Sequence, residues 1–395
     1  MKDFVYCAPT KVVLGRNSEE KAGALLRECG ATKVLIHYGG TSAVKSGLLE
    51  KVCKSVAAED LSYVTLGGVK PNPRVDLVRE GVALCKKEGV DFILAVGGGS
   101  VIDSAKAIGY GVRHDFDVWD IYEGKAQAAD CCPIGVVLTI AAAGSEMSNS
   151  SVINNDETGM KRGYTSEYCR PKFAVMNPEL TYTLPPYQTA SGATDIIMHI
   201  LERYFYGADF GGSDLADGMS ESVIRTVMKH VKEALKDPCD YQSHAEIMWA
   251  SSIAHNDLLH TGNGTRGDWA CHQLEHELGA MFDVAHGAGL GAVWGSWARY
   301  VYKNAPKRFY QFATRVMGVA EGEEESTILA GIEAFENFLR EIRMPTNIRE
   351  LGIALTEENI RDLAYNCTFG HKRMVGCVMK LGEKELGEIY TLARG

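Results

Sequence analysis

Three histidines, His272, His276 and His286, fall within fifteen residues, and Asp195 and His199 stand four apart upstream. An acid and an imidazole at that spacing lie on one face of a helix and can close on one ion. His272 and His276 repeat the spacing on a second helix, and His286 follows after a short loop. No cysteine falls between His272 and His286, so the donors are oxygen and nitrogen, a set suited to Fe(II) or Zn(II) in a catalytic rather than a structural centre. Two other readings of the same residues stay open. His272-Gln273-Leu274-Glu275-His276 is also the H-x-x-E-H pattern of inverzincin hydrolases, where the glutamate activates water. Satisfied core histidines would suit any one of these positions better than they suit the whole set.

A second group of residues could handle phosphate. Gly97-Gly98-Gly99-Ser100 directly follows an apolar run and opens a helical pattern, so the backbone can close on a pyrophosphate at a helix N-terminus. This is not the G-x-G-x-x-G fingerprint. Gly39-Gly40-Thr41-Ser42 repeats the strand, glycine turn and helix start, and two such turns on one sheet suit a dinucleotide. No acid follows the run ending at Tyr38 to hold a ribose 2′-hydroxyl, and Lys45 is near, which favours NADP(H) over NAD(H). Thr139, at the end of another apolar run before Gly144-Ser145-Glu146-Met147, is a further cofactor candidate, though an ordinary strand-to-helix turn explains it equally well. Lys161, by itself, reads as a surface lysine.

The elements that must position these residues change character along the chain. Strand-like runs at Lys33 to His37, Asp91 to Val96, Pro133 to Thr139 and Phe173 to Met176 alternate with helical patterns, which predicts a parallel sheet covered on both faces. After Leu184-Pro185-Pro186 the pattern is helical throughout, with segments from Tyr187 to Phe205, Ser213 to Lys236, His244 to Leu259, Asp268 to Met281 and Glu323 to Ile342. The expected organisation is an α/β dinucleotide-binding domain over 1–186 and an all-helical metal and substrate domain over 187–395. Two cores also suit 395 residues of which 46% are hydrophobic.

A formal charge of -10 argues against nucleic acid and anionic lipid, leaving a small molecule as the partner. The 11 cysteines are scattered without a C-x-x-C pair, which indicates a reducing, cytoplasmic setting. No apolar run is long enough to span a membrane.

Taken together, Gly97 to Asp103, Leu138-Thr139 to Met147, Gly192 to Asp195 with His199, and Asp268-Trp269-Ala270 leading into His272, His276 and His286-Gly287 resemble the iron-containing alcohol dehydrogenase family, especially its butanol dehydrogenase and NADPH-dependent aldehyde reductase members. The resemblance runs from the opening strand to about Tyr300 and is thinner beyond. It implies a dehydroquinate synthase-like fold, a Rossmann-like N-terminal domain and a helical C-terminal domain with the active site in the cleft between them. It assigns one divalent metal, Fe(II) or Zn(II), to Asp195, His199, His272 and His286. His276 then serves near the nicotinamide and substrate, and Glu275, where the family usually has glycine, carries no role. Gly97, Gly98, Gly99, Ser100 and nearby Asp103 form the pyrophosphate loop, and Lys161 approaches the cofactor. Ala141-Ala142-Ala143 stands where the family has a proline and a hydroxyl, which removes one cofactor hydrogen bond at Ala143 worth about 1 kcal/mol.

The implied reaction is hydride transfer between NAD(P)H and a short-chain aldehyde or alcohol such as butyraldehyde or butanol. A cation that lowers the pKa of a bound oxygen by about 9 units contributes roughly 12 kcal/mol, against about 3 to 5 for acid-base help from His276, so the metal should dominate. Glycerol dehydrogenase-like polyol oxidation is the nearer alternative, and the metallohydrolase a further one. A lyase on the same fold would need more basic residues near the ligands than Arg203. A nucleotide-binding protein without catalysis suits an intact ligand set poorly. A homodimer follows by analogy with the family.

Overall fold

The computed structural model describes residues 1–207 and 209–395. They form two compact units, Cys7–Leu184 and Pro185–Gly395, the latter joined by Met1–Tyr6. The break lies just before the expected boundary because Pro186, whose ring presets a helical φ, occupies the first turn of the helix Pro186–Tyr204. The first residues count with the helical unit since the Lys2 backbone N–H donates to the Gly262 carbonyl at 2.8 Å.

The first unit is built on six strands paired only in parallel: β1 Lys11–Leu14, β2 Lys33–Tyr38, β3 Ser62–Leu66, β4 Phe92–Gly97, β5 Ile134–Leu138 and β8 Phe173–Met176, in the order β1-β8-β5-β4-β2-β3. A separate antiparallel pair joins β6 Ser150–Asn155 to β7 Met160–Thr165. Strands β4 and β5 are buried along their whole length, which is why they read as continuous apolar runs. β1 and β3 sit at the sheet edges and expose part of their residues, so their patterns are weaker. The β6–β7 hairpin is mostly polar and gives little strand signal.

This topology brings the glycine turns to one edge. From β2 the chain steps out to β3, then returns to β4 on the other side of β2 and continues to β5 and β8. Such a reversal opens a crevice at the carboxyl ends of the strands. Tyr38 is in register with Val96, and Gly97 with Leu138, so the residues following β2, β4 and β5 emerge side by side.

The second unit is helical, with long helices at Pro186–Tyr204, Asp214–Lys236, Tyr241–Ala254, Ala270–Phe282, His286–Val301 and Glu324–Glu341, and shorter ones at Glu357–Cys367 and Glu383–Ala393. Polar caps fix several starts: Ser213, Asp240 and Glu323 each accept from a backbone N–H of the first turn. Every residue from Ala190 to Tyr204 is buried. No helix among the described residues is long and apolar enough to cross a membrane.

Within the sheet unit, His37 links β2 to two neighbours. Its Nδ1 lies 2.9 Å from the Leu66 carbonyl and its Nε2 2.9 Å from Ser104 Oγ on the helix that follows the Gly97 turn. A neutral ring donating to the carbonyl and accepting from the hydroxyl satisfies both. Burial lowers its pKa from 6.5 to about 4, with the Leu66 bond opposing. A depressed histidine pKa means that the unfolded chain binds the extra proton first, so the contribution to stability is complete above pH 6.5 and is lost as pH falls towards 4. The shift amounts to about 3 kcal/mol. Urea titrations should therefore show the wild type losing roughly 2 to 3 kcal/mol more than His37→Asn between pH 7.5 and 4.5; parallel losses would remove His37 as the cause.

Candidate metal centre and cofactor edge

At the sheet edge, Gly97 ends β4, Gly98 precedes the helix Gly99–Arg113, and Ser100 lies in that helix's first turn. A Cβ on Gly97 would come within 2.4 Å of Val101 Cγ2, so the tight strand-to-helix turn alone requires glycine there. Thr139 follows β5 and donates its backbone N–H to the Gly97 carbonyl at 3.1 Å. Beyond β2, Gly39 is partly exposed and Gly40, Thr41 and Ser42 are exposed, with Lys45 exposed in the same short helix. Asp103 is turned into the protein: its carboxylate accepts from Ser145 Oγ at 2.6 Å and from the Val152 N–H at 2.9 Å. Lys161 is buried on β7 in register with Asn154, unlike the surface lysine its local sequence describes.

Lys106 escaped the sequence reading. It is fully buried, and its Nζ lies 2.7 to 3.0 Å from five oxygens of Ser145, Ser148 and Ser150, while burial holds its pKa below the usual lysine value. Together with Asp103 it ties the segment after β5 to the helix after the glycine turn. A lysine one helical turn past Asp103 on an otherwise apolar helix face was the available signal.

In the helical unit, Asp195, His199 and Glu202 occupy one face of Pro186–Tyr204, and His272, Glu275 and His276 one face of Ala270–Phe282. His286 is the first residue of the next helix. One donor atom from each of Asp195, His272 and His286 lies within 4.8 Å of the others. Asp195 Oδ1 is 3.8 Å from His272 Nε2 and 3.6 Å from His286 Nε2, and neither Asp195 Oδ1 nor His272 Nε2 has a hydrogen-bond partner although both are buried. Buried polar atoms in that condition are costly, and a divalent cation among them would satisfy both. His199 stands beside this group: its Nδ1 is bonded to the Asp195 backbone carbonyl at 2.9 Å and lies 3.0 Å from Asp195 Oδ1, and its ring centroid is 4.4 Å from that of His272. His286 is 27% exposed while Asp195, His199 and His272 are buried, so solvent reaches the group from one side.

Two carboxylates complete the arrangement. Glu202 Oε1 accepts from both the backbone N–H and the Nδ1 of His272 at 3.0 Å, and Glu275 Oε2 is bonded to His286 Nδ1. Each leaves the Nε2 of its histidine for the common point. The Glu275 carboxylate is engaged with His286 rather than free to activate water as H-x-x-E-H would have it, a contact that the sequence did not indicate. The spacing of Glu202, seven residues past Asp195 on an apolar helix, was a readable signal. Asp268 was another missed residue. It accepts from the N–H groups of Cys377, Val378 and Ala270, anchoring a helix whose preceding residue Trp269 sits at φ 62.

The family model for iron-containing alcohol dehydrogenase matches residues 9–178, and that for the C-terminal part of the Fe-containing alcohol dehydrogenase family matches 189–391. The chain belongs to the iron-containing alcohol dehydrogenase family. It is 34% identical over 394 residues to NADH-dependent butanol dehydrogenase A of Clostridium acetobutylicum, covering 99% of each chain. The NADPH-dependent aldehyde reductase YqhD of Escherichia coli is 34% identical over 89% of this chain and 90% of its own. The crystal structure of NADH-dependent butanol dehydrogenase A from Thermotoga maritima superposes with a TM-score of 0.96 at 40% identity, over 100% of this chain and 99% of that one. Membership makes this chain a metal-dependent alcohol dehydrogenase or aldehyde reductase using NAD(P)H.

The donor set of this family member carries its own electrostatic logic. Burial works to raise the Asp195 pKa, but His199, His286 and His272 outweigh it and hold the carboxyl well below its usual range. Burial pushes His199 down to about 4, against the pull of Asp195. Burial also opposes a charge on His272, but the neighbouring carboxylates of Asp195 and Glu202 overcome that and raise it to about 9. Without metal, one proton on His272 between two carboxylates therefore supplies the positive charge. A raised histidine pKa contributes stability that is complete below pH 6.5 and disappears as pH rises through 9. A cation needs that nitrogen deprotonated, so its affinity moves the other way. Titration of metal-free protein with Zn(II) in buffers of different ionisation enthalpy should release about one proton at pH 7.5, with affinity rising about tenfold per pH unit up to pH 9. A pH-independent affinity with no proton release would remove His272 from the binding group.

Proposed function

We propose that this chain interconverts short-chain aldehydes and alcohols, with Asp195, His199, His272 and His286 holding one Fe(II) or Zn(II), and with NADPH favoured over NADH. The observation that carries the metal assignment is the group of buried Asp195 and His272 with partly exposed His286, whose donor atoms converge and whose facing atoms Asp195 Oδ1 and His272 Nε2 have no hydrogen-bond partner. His199 is the fourth ligand in this proposal: its Nδ1 is bonded to the Asp195 backbone carbonyl at 2.9 Å, which leaves Nε2 as its ligating nitrogen. When bound, the cation polarises the carbonyl oxygen and the dihydronicotinamide supplies the hydride.

The chain's own residues supply the rest. Asp195 is the only carboxylate of the converging three, so the donor set leaves net positive charge towards the partly exposed His286 side, where a carbonyl oxygen can approach. His276 is buried, with its ring centroid 5.9 Å from that of His286. We assign it the proton that the nascent alcohol oxygen requires, directly or through water. At the sheet edge, Gly39, Gly40, Thr41, Ser42, Gly97, Gly98, Gly99, Ser100 and Thr139 would surround the dinucleotide. Lys161 would add a positive charge, and Asp103 would act by holding the loop rather than by touching the cofactor. The absence of an acid after β2 and the exposed Lys45 support NADPH. A second reading, NADH, is favoured by the names of the Clostridium and Thermotoga relatives. A cytoplasmic setting is part of the same proposal, supported by eleven free cysteines, and a homodimer is proposed by analogy with the family alone.

Reduction of butyraldehyde should be abolished by chelator and restored by Fe(II) or Zn(II), with kcat/KM higher for NADPH than for NADH. His272→Ala and Asp195→Ala should lose at least ~10²-fold in metal affinity, beyond what loss of a supporting carboxylate costs. His276→Ala should keep its metal and lose about 10² to 10⁴ in kcat. Full metal content in His272→Ala would sink the ligand assignment, and a higher kcat/KM with NADH would reverse the cofactor preference alone.

A further inference from the structure

Glu275 is wholly buried beside His276 of its own helix and His286 of the next, a placement that is expensive for a carboxylate without a task. Its Oε2 bonds the Nδ1 of His286, the ring nitrogen opposite the one that faces Asp195. Space for this contact is made by the partner helix. A Cβ at Gly289, three residues beyond His286, would fall 2.8 Å from Glu275 Cγ and 3.4 Å from its Oε1. Glycine lowers helix propensity by about 1 kcal/mol against alanine, so Gly289 has a structural cost that the seat of Glu275 explains.

We propose that Glu275 is a positioning residue for the metal centre. It fixes the His286 tautomer with the proton on Nδ1 and aims Nε2 at Asp195 and His272. The inference rests on the ligand set proposed above. His286 needs such a restraint more than His272 does, because it is the partly exposed member and begins its helix after a three-residue connection. Glu202 restrains His272 in the same way, so each of these two imidazoles has its own carboxylate. Glu275, His276 and His286 also bring donor atoms within 4.8 Å of one another, which offers direct ligation by Glu275 as the competing arrangement. The bond from Glu275 to His286 Nδ1 and the completeness of the Asp195, His272 and His286 group without it favour positioning.

The test uses the full chain, stripped of metal and reloaded with Zn(II) under chelator competition, and with Co(II) for its visible spectrum. Glu275→Ala should bind one equivalent with affinity lowered about 10- to 100-fold, and Glu275→Gln, which keeps an acceptor but not the charge, should fall between it and the wild type. Gly289→Ala, which touches no ligand, should lower affinity in the same direction by displacing Glu275. Circular dichroism of each metal-free variant checks that it is folded. Because Glu275→Gln and Gly289→Ala alter the aim of His286 and leave the ligands themselves in place, the Co(II) bands of both variants should shift in intensity while remaining those of one site.

Unchanged affinity and spectrum in folded Glu275→Ala and Gly289→Ala would overturn the proposal. So would complete loss of metal in both Glu275 variants, or a second bound equivalent in the wild type that those variants lack, since either makes Glu275 a ligand. Asp195→Asn in the same series separates the two levels: if it binds metal like the wild type, the ligand set itself fails, whatever Glu275 does.

Discussion

A carboxylate buried on all sides governs the helical unit. Asp195 sits in a helix whose residues from Ala190 to Tyr204 are all buried, so water cannot solvate it. Moving one ion out of water costs several kcal/mol even after relaxation. The cost is offset only if positive charge is brought to it. His199 comes from the same helix, and His272 and His286 from two others, and all three turn a ring nitrogen towards Asp195. Two of these imidazoles are themselves backed by carboxylates, Glu202 behind His272 and Glu275 behind His286. Each carboxylate holds the Nδ1 side of its ring and leaves Nε2 towards Asp195. The same residues that would otherwise destabilise the core thus converge into a group of donors that could hold a divalent ion.

Much of this was legible in the sequence, and the reasons for the remainder are physical. β4, β5 and β8 were visible because strands covered on both faces are apolar throughout. The polar β6–β7 hairpin was not, since neither of its faces reads as a core face. In the metal centre, residue type and spacing brought out Asp195, His199, His272, His276 and His286, yet spacing could not show that His199 directs Nδ1 to Asp195 or that His276 stands outside the group of three. Acids are common on helices, so the spacing of Glu202 and the motif positions of Asp268 and Glu275 did not by themselves reveal the contacts that these buried carboxylates make.

The helix His286–Val301 illustrates the same limit. It contains four glycines beyond His286, a composition that argues against a helix. Two of them show why it forms nevertheless. At Gly287 a Cβ would lie 1.9 Å from the Ser191 carbonyl oxygen, and at Gly289 it would strike Glu275. Close approach to the two ligand-bearing helices is therefore purchased with helix propensity, and tertiary packing restores what propensity loses.

That close approach also bears on why a metal centre in this unit can be both tight and reachable. Pro186–Tyr204 and Ala270–Phe282 carry the buried members of the proposed ligand set, restrained by helix geometry, whereas His286 stands at a helix start, where backbone constraint is weakest and solvent has access. A site made wholly of buried ligands would hold its ion but exclude substrate; one with an unrestrained ligand at its mouth would admit substrate but lose the ion. Placing a charged acceptor behind the exposed ligand, in a space that only glycine leaves open, resolves the conflict without closing the mouth. The Glu275–His286–Gly289 contact is for that reason better understood as one unit than as three residues, and a change at any member should be felt at the same nitrogen.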